Sequence, residues 1–532
     1  MKKRYLLILP ALVMFASCKP EISDKIDSET YYPGEADFSS YVAVGNSLTS
    51  GFMDGTVYRS GQQNSFPNIL AKQFKIVGGG EFTQPDFSDD VNDVGGMLVA
   101  GTEIMPTKMI INMSTGGPEN IKGVVTIDAT KQQKTAYHNA GVPGAKTFHL
   151  LAPGYGSLAA LSAGKSNPYF IRTATSDQAT VLGDAMTLKP TFFTNWIGAN
   201  DVLAYATSGG EGVDQNEAGG LDPAKYGPND ITHAGVFQNV YKTITTTLTS
   251  GGAKGVVATI PDVTAIPFFT TVPYSPLTPE LIGVEKIDQL NMFVGLLKMT
   301  LAKAGQGDRL QLFSKEKANP LLINDNTLDD MSPVIAAGLK AAIDSGQLPL
   351  PIKEQEIALI AHIFGKARHA TAQDLMLLTS KPQIGASLPT STGNTIMDEM
   401  LKIGVTYPLG DEYVLNPVEQ KKIKEATTNF NNIIRAEAAE KGLAIADMNE
   451  LLNKAVSGLR VEDGQIYTAD YFTGMGNLNT VMFSLDGVHL NPRGYAFIAA
   501  EILRVINRHY KSNIPLVNPA VYPGPTLLAT NK

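Results

Sequence analysis

The 532-residue sequence contains one cysteine, one tryptophan and 7 histidines. A single cysteine can form neither a disulfide within the chain nor a cysteine-based metal site. Charged residues make up only 18% of the chain, and the net charge of −8 comes from interspersed acidic and basic residues. Because no basic stripe with interleaved aromatic residues is present, we expect no nucleic-acid partner.

The longest apolar run at the N-terminus is too short to cross a bilayer. Three basic residues, Lys2 to Arg4, precede an apolar stretch from Tyr5 to Phe15, which ends at Ala16-Ser17-Cys18. This order is typical of a secretory signal peptide rather than a transmembrane helix.

The end of this stretch resembles the lipobox of bacterial lipoproteins, although Phe15 stands where leucine is usual. The resemblance implies a leader over residues 1–17, lipidation of Cys18 and a polar tether over residues 18–36. A membrane anchor at Cys18 followed by Lys19-Pro20-Glu21 fits a cell-envelope protein in the outer membrane of a Gram-negative bacterium. The alternative is an ordinary signal peptide, whose removal would also remove the thiol.

Beyond the leader, roughly 500 residues at 43% hydrophobic content can bury a substantial core. Short β-rich segments separated by helical patterns predict an α/β fold with a parallel sheet and helices on both faces. In such a sheet the ligand site lies beyond the carboxyl ends of the strands. The predicted strands are Phe38–Gly45, Thr191–Ile197, Gly255–Ile260 and Leu443–Met448, and the predicted helices include Asn68–Phe74, Val236–Leu248 and Pro417–Lys441.

A long segment between Phe269 and Asn416 does not follow this alternation. Its apolar spacing predicts a helical cap or subdomain that interrupts the domain at about residues 270–415. Two glycine-rich stretches, Val77–Gly101 and Ser208–Gly220, are predicted to be surface loops, and residues 516–532 a C-terminal tail. The helices predicted in the long segment are Pro279–Ala304, Ser332–Ser345, Lys353–Phe364, Ala372–Leu378 and Thr395–Ile403.

The first predicted strand ends at Gly45-Asn46-Ser47, with Gly51 one turn further along. A serine on such a strand-to-helix turn exposes its hydroxyl at the edge of the sheet and is a candidate nucleophile. Taken alone the motif is weak, because most Gly-x-Ser segments are ordinary turns.

Near the C-terminus, Asp486-Gly487-Val488-His489 precedes an apolar helix. The Asp-x-x-His spacing allows one short loop to present an imidazole and a carboxylate that accepts its Nδ1 proton. A serine hydroxyl needs such an oriented base at neutral pH.

Two further segments could stabilise an oxyanion. The loop from Asn139 to Ala145 contains Gly144, whose backbone amide could approach a substrate oxygen, and Asn200 follows the strand that ends at Ile197. Amide donors of both kinds occur in oxyanion holes, although each segment alone is more often an ordinary loop or a helix N-cap.

In their order along the chain, the four segments resemble the signature blocks of the SGNH (GDSL) hydrolase family. The resemblance covers the N-terminal third and the last hundred or so residues, and it implies a three-layer α/β/α, flavodoxin-like hydrolase domain over residues 37–515. Asn46 departs from the usual aspartate, which we expect to tune activity rather than abolish it. The resemblance assigns a triad of Ser47, His489 and Asp486 and an oxyanion hole of the Ser47 and Gly144 amides with the Asn200 side chain.

These assignments predict a secreted, lipid-anchored serine ester hydrolase of the esterase or lipase type, acting through an acyl-enzyme on Ser47 without a cofactor. Its partner would be a small-molecule, lipid or glycan ester, and the sequence carries no signal for an oligomeric state. Two alternatives stay open, namely a carbohydrate O-acetyl esterase of the same fold and a non-catalytic surface binding lipoprotein.

Other polar residues give no metal site. The acidic run Asp86, Asp89, Asp90 and Asp93 lacks the glycine and closing glutamate of a calcium-binding EF-hand loop and is interpreted as a solvated loop. His362 and His369 lack a carboxylate arrangement that would complete a metal site. Two further interpretations are that Asp262 is a turn or cap residue and that Trp196 either lines the pocket or packs against the sheet.

Overall fold

The structure, a computed structural model, describes residues 30–114, 117–346, 353–388, 401–460 and 464–528. The predicted leader, Cys18 and most of the predicted tether lie outside these ranges. Among the described residues, no helix has both the length and the apolar character needed to cross a bilayer.

The centre of the fold is a five-stranded sheet, and all of its neighbouring strands are parallel. Its strands are β1 Tyr41–Gly45, β2 Asn139–Gly141, β3 Phe192–Trp196, β4 Lys254–Ala258 and β5 Ala444–Ala446, in the spatial order β5-β4-β3-β1-β2. Every residue of β1 and β3 is buried, as expected for strands covered on both faces. The four predicted strands are confirmed, whereas β2 forms an edge strand in a segment predicted to be a glycine-rich loop.

Helices alternate with these strands and flank the sheet. The predicted helices over 68–74, 236–248 and 417–441 are confirmed. Among the described residues the helices are α1 Ser47–Ser50, α2 Arg59–Gln62, α3 Phe66–Ile76, α4 Pro168–Thr173, α5 Val181–Thr187, α6 Asn200–Thr207, α7 Gln215–Ala218, α8 Ala234–Thr249, α9 Pro267–Thr270, α10 Pro279–Ile282, α11 Ile287–Ala302, α12 Ser332–Asp344, α13 Glu354–Phe364, α14 Pro417–Lys441, α15 Met448–Val456 and α16 Pro492–Tyr510.

Helix α14 illustrates how local sequence sets these boundaries. The side chain of Asn416 accepts hydrogen bonds from the amides of Val418 and Glu419, which satisfies two free donors at the helix start. The helix ends at Gly442, whose φ of 64° is a left-handed conformation that glycine adopts without a Cβ clash.

A second hydrophobic core is built by residues between β4 and α14. It buries apolar side chains from α10 to α13, including Leu297, Leu301, Ile335 and Leu339. The helices predicted over 279–304, 332–345 and 353–364 are confirmed, the first of them in several pieces. The region therefore has an apolar interior of its own beside that of the sheet.

The helix predicted over 372–378 is wrong. Leu375–Met376 is instead a short strand that pairs antiparallel with Val414–Leu415. The preceding Asp374 accepts a hydrogen bond from the Thr371 amide and forms an ion pair with Arg368, which holds a turn in place. In an apolar run this short, periodicity cannot distinguish a strand from a helix. Of the helix predicted over 395–403, residues 395–400 lie outside the described residues.

The acidic loop within residues 77–101 is not simply a solvated surface loop, so that interpretation is wrong. Asp90 is 0% exposed, and its carboxylate accepts hydrogen bonds from the amides of Arg59, Val94 and Gly95. Asp89 pairs with the buried Arg172 and Asp93 with the buried Lys108. Because this loop packs against the domain, its buried backbone amides need hydrogen-bond acceptors and the buried cations need opposite charges. The carboxylates provide both.

The second glycine-rich stretch is likewise partly structured, because it contains α7 and the buried Gln215. Both ends of the described chain pack against the domain: Glu35 forms an ion pair with Lys511, and Leu527–Leu528 pairs with Met109–Asn112. The remaining short strands are Met97–Val99, Thr102–Met105, Gly117–Asn120, Leu322–Asn324, Ala367–His369, Leu459–Arg460 and Ile466–Tyr467.

Candidate active site

Ser47 begins helix α1, directly beyond the carboxyl end of β1, and is 6% exposed. The buried Asn46 caps this helix by accepting a hydrogen bond from the Leu48 amide at 3.1 Å. Gly45 is required by close packing, since a Cβ there would lie 2.1 Å from Thr49 Oγ1 and 2.7 Å from the Trp196 carbonyl oxygen. The corner is therefore tight, and it places the serine at the edge of the sheet.

The loop before α16 brings an imidazole to this serine. His489 Nε2 lies 2.8 Å from Ser47 Oγ, and His489 Nδ1 lies 2.9 Å from Asp486 Oδ2. The Phe52 ring lies against the imidazole, with a centroid separation of 4.5 Å. The structure thus brings Ser47 next to two side chains that lie more than 400 positions further along the sequence.

Asp486 is largely buried, with 12% of its side chain exposed. Burial by itself raises the pKa of a carboxyl group, but His489 and the amides of Val488 and His489 hold the pKa of Asp486 well below its ordinary value. Because the carboxylate stays ionised, it accepts the Nδ1 proton. This hydrogen-bond pattern assigns the tautomer that leaves Nε2 able to accept the serine proton.

The Asn139–Ala145 segment lies beside the β1–α1 corner. The side chain of Asn139 donates to the Thr49 carbonyl at 3.0 Å, and the Val142 amide donates to the Gly45 carbonyl at 3.0 Å. Gly144 has a φ of 79°, which favours glycine at this turn. The turn is therefore held close to the corner that carries Ser47.

Asn200 lies beside the same turn at the start of α6, where its Nδ2 donates to the Ala145 carbonyl at 3.0 Å. The neighbouring Asp201, which is 0% exposed, secures the contact between the two segments: it accepts from the amide and hydroxyl of Thr147 at 2.8 and 2.7 Å. Burial raises the pKa of Asp201. Asn200 is thus hydrogen-bonded to the residue that follows Gly144, and its role at an oxyanion stays a prediction.

A tight turn over Met53–Thr56, which sequence reasoning did not single out, supports the triad carboxylate. The Gly55 amide donates to Asp486 Oδ2 at 3.1 Å. The Asp54 amide donates to the hydroxyl of Ser484 at 3.0 Å, and that hydroxyl donates to Asp486 Oδ1 at 3.0 Å. An Asp-Gly pair is a turn signal that the sequence does contain, but its contact with a residue more than 400 positions away is set by tertiary structure.

Asp54 is a second buried carboxyl group behind the triad, and it is 2% exposed. Its Oδ1 accepts from the Leu485 amide and its Oδ2 from the Tyr58 hydroxyl, each at 3.0 Å. Burial, reinforced by the nearby charge of Asp486, raises the pKa of Asp54 to about 6. Lys108 Nζ lies 4.0 Å from the centre of the Tyr58 ring, so a cation sits behind this network.

The other residues noted in the sequence have structural contacts. Asp262 caps a short helical turn through the Thr264 amide, as predicted, and Trp196 is 3% exposed and packs edge-on against Phe66. His369 is buried, its Nδ1 lies 3.0 Å from the Gln311 amide, and burial lowers its pKa to about 4. In the part of the chain that the structure describes, no group of three or more histidine, cysteine or acidic side chains is arranged to hold a metal ion.

Comparisons with protein-family models, with curated proteins and with solved structures find no match to this chain.

Proposed function

We propose that this protein is a serine ester hydrolase of the SGNH type that works through an acyl-enzyme on Ser47. The observation that carries the proposal is the relay from Ser47 Oγ to His489 Nε2 at 2.8 Å and from His489 Nδ1 to Asp486 at 2.9 Å. A hydroxyl, a base and a carboxylate that orients the base are the groups that activate a serine nucleophile.

In the proposed mechanism, His489 takes the Ser47 proton as Oγ attacks the ester carbonyl carbon. The tetrahedral oxyanion accepts hydrogen bonds from the Ser47 and Gly144 amides and the Asn200 side chain. His489 then gives the proton to the leaving alcohol oxygen, the C–O bond breaks, and the acyl-enzyme remains. Water, deprotonated by His489, attacks this ester and releases the carboxylic acid and the free serine.

The proposal includes the finer features of fold and location that the resemblance implies. The parallel sheet is interpreted as the SGNH hydrolase sheet, and the second core between β4 and α14 as a large helical insertion. Lipidation at Cys18 would hold the enzyme at the cell envelope, in the outer membrane of a Gram-negative bacterium.

The proposal can be tested by labelling with a fluorophosphonate probe, which reacts with activated serines. The wild-type protein is expected to take up the label and Ser47→Ala to take up none. Ser50→Ala is the matched control, because Ser50 lies on the same short helix and is also 6% exposed. It should still be labelled, since Ser50 Oγ donates only to the Ser47 carbonyl.

Absence of label on folded wild-type protein would contradict the enzyme proposal and favour the alternative of a surface binding lipoprotein. Equal labelling of wild-type and Ser47→Ala protein would show that another serine reacts. Circular dichroism of each variant establishes that the fold is retained in either case.

A further inference from the structure

An apolar cleft opens between α15, α16 and the loop after β4, and all fourteen side chains that line it are apolar. The space inside it, counted together with the solvent at its open mouth, is about 520 Å³. Leu48, Leu451 and Val488 are only partly buried in its wall. Because its wall is almost entirely apolar, the cleft favours an apolar group over a polar one.

The apolar cleft borders the two segments that carry Ser47 and His489, although neither of these two side chains lines it. Leu48 follows the nucleophile in the chain, and Val488 and Leu490 lie on either side of His489. Neither Gly144 nor Asn200 lines the cleft. The sequence neighbours of His489 thus line the cleft, whereas those of Gly144 do not.

We propose that the apolar cleft binds a hydrocarbon chain of the ester that is cleaved at Ser47, so that the substrates are esters with long alkyl chains. This inference rests on the proposed function. Because the imidazole gives its proton to the leaving oxygen, the position of the cleft favours a chain on the alcohol side of the ester. A chain on the acyl side would have the same apolar chemistry, and the experiment distinguishes the two.

The size of the expected selectivity follows from apolar burial. Each methylene group moved from water into such a cleft changes the binding constant by about fourfold. Acetate, the acyl group of the O-acetyl esterase alternative, gains nothing from the cleft. A long alkyl ester should therefore be hydrolysed with a much higher kcat/KM than its methyl counterpart.

Hydrolysis of methyl acetate, octyl acetate and methyl octanoate, followed by acid release in a pH-stat, tests the substrate class. The ratio of kcat/KM for octyl acetate to that for methyl acetate should exceed one hundred, and Leu451→Glu should lower this ratio at least tenfold. Val456→Glu is the matched control, because Val456 lies on the same helix, is 53% exposed and does not line the cleft. Leu451→Gln repeats the test without a charge, in case the glutamate prevents folding.

If the chain binds on the acyl side, methyl octanoate should show the preference and the Leu451 variants should remove it, which also supports the cleft. A ratio near one for both long esters, or a long-chain preference that the Leu451 variants leave unchanged, would overturn the proposal.

A binding measurement separates this inference from the proposed activity. Trp196 is the only tryptophan in the chain and lines the cleft, so its fluorescence reports occupancy. In Ser47→Ala protein, octan-1-ol or octanoate should change the emission and saturate, methanol should not, and Leu451→Gln should weaken the binding at least tenfold. If Ser47→Ala protein binds saturably but wild-type protein hydrolyses none of the esters, only the enzyme proposal is contradicted. If wild-type protein hydrolyses the esters but the emission of Ser47→Ala protein does not change, only the cleft proposal is contradicted.

Discussion

Replacing Asp54 by asparagine should show how much the buried carboxyl group behind the proposed triad lowers the free energy of unfolding when it is ionised. Asparagine has nearly the same shape, and it tolerates the positive φ of 54° at this position better than most residues. Its Oδ1 can still accept from the Leu485 amide, and its Nδ2 can donate to the Tyr58 hydroxyl in place of the present bond. The substitution therefore removes the titration and the charge while it keeps the local contacts.

The magnitude follows from the pKa of Asp54, which burial raises from the ordinary value of 3.8 to about 6. Between these two values the unfolded chain has lost its proton while the folded protein still holds it. The unfolded state thus binds fewer protons, and the free energy of unfolding falls as the pH rises. The full loss is about 3 kcal/mol, of which about 2 kcal/mol falls between roughly pH 4.5 and 7.5.

The assay is urea unfolding of wild-type and Asp54→Asn protein across this pH range. The stability of the variant minus that of the wild type should rise with pH by about 2 kcal/mol. Asp177→Asn, which removes an exposed carboxylate by the same substitution, sets the baseline. A difference that stays flat or falls as the pH rises would refute the electrostatic reasoning.

Measurements of kcat distinguish the effect of the Asp54 charge from the effect of its hydrogen bonds. Asp54→Ala removes both acceptors that hold Leu485 and Tyr58 and leaves the segment before Asp486 free to shift, so kcat should fall roughly ten- to hundredfold. Asp54→Asn should lose much less activity near neutral pH. Equal losses in both variants would show that the charge, rather than the hydrogen bonds, supports the triad.

Three further substitutions test the site and its packing. Asp486→Ala should keep its fold by circular dichroism but lose about 10⁴-fold in kcat on 4-nitrophenyl acetate, because the imidazole loses the partner of Nδ1; near-wild-type turnover would exclude this triad. Asn200→Ala should lower kcat about 10²- to 10³-fold with little change in KM, and a change confined to KM would argue against a role at the oxyanion. Tyr495→Phe removes a buried hydrogen bond to the Phe52 carbonyl and should cost about 1–3 kcal/mol in urea unfolding; an unchanged stability, equal to that of the half-buried control Tyr522→Phe, would contradict this.

The α/β alternation was predictable because each strand and helix carries a local pattern of its own. The buried run Tyr41–Gly45 and the amphipathic α14 differ in periodicity and have clear ends at Gly45, Asn416 and Gly442. The segment at Leu375–Met376 was not predictable, since its partner Val414–Leu415 lies about forty residues away. Short segments take their conformation from such partners rather than from their own composition.

The acidic loop shows a second limit of local reasoning. Charge alone suggests solvent exposure, yet Asp90 is fully buried because three backbone amides surround its carboxylate. Asp89 and Asp93 face cations that come from Arg172 and Lys108. The sequence contains these charged residues, but it does not predict which of them form ion pairs.

The residues of the proposed triad could be named from the sequence alone, since a serine after a strand and an Asp-x-x-His loop before a helix are local motifs. Only the tertiary structure decided what surrounds them. The turn at Asp54 and Gly55 comes to lie against Asp486, and the apolar cleft forms where α15 and α16 meet the sheet. Both depend on contacts between residues far apart in the chain, and these are fixed when the chain folds around one core.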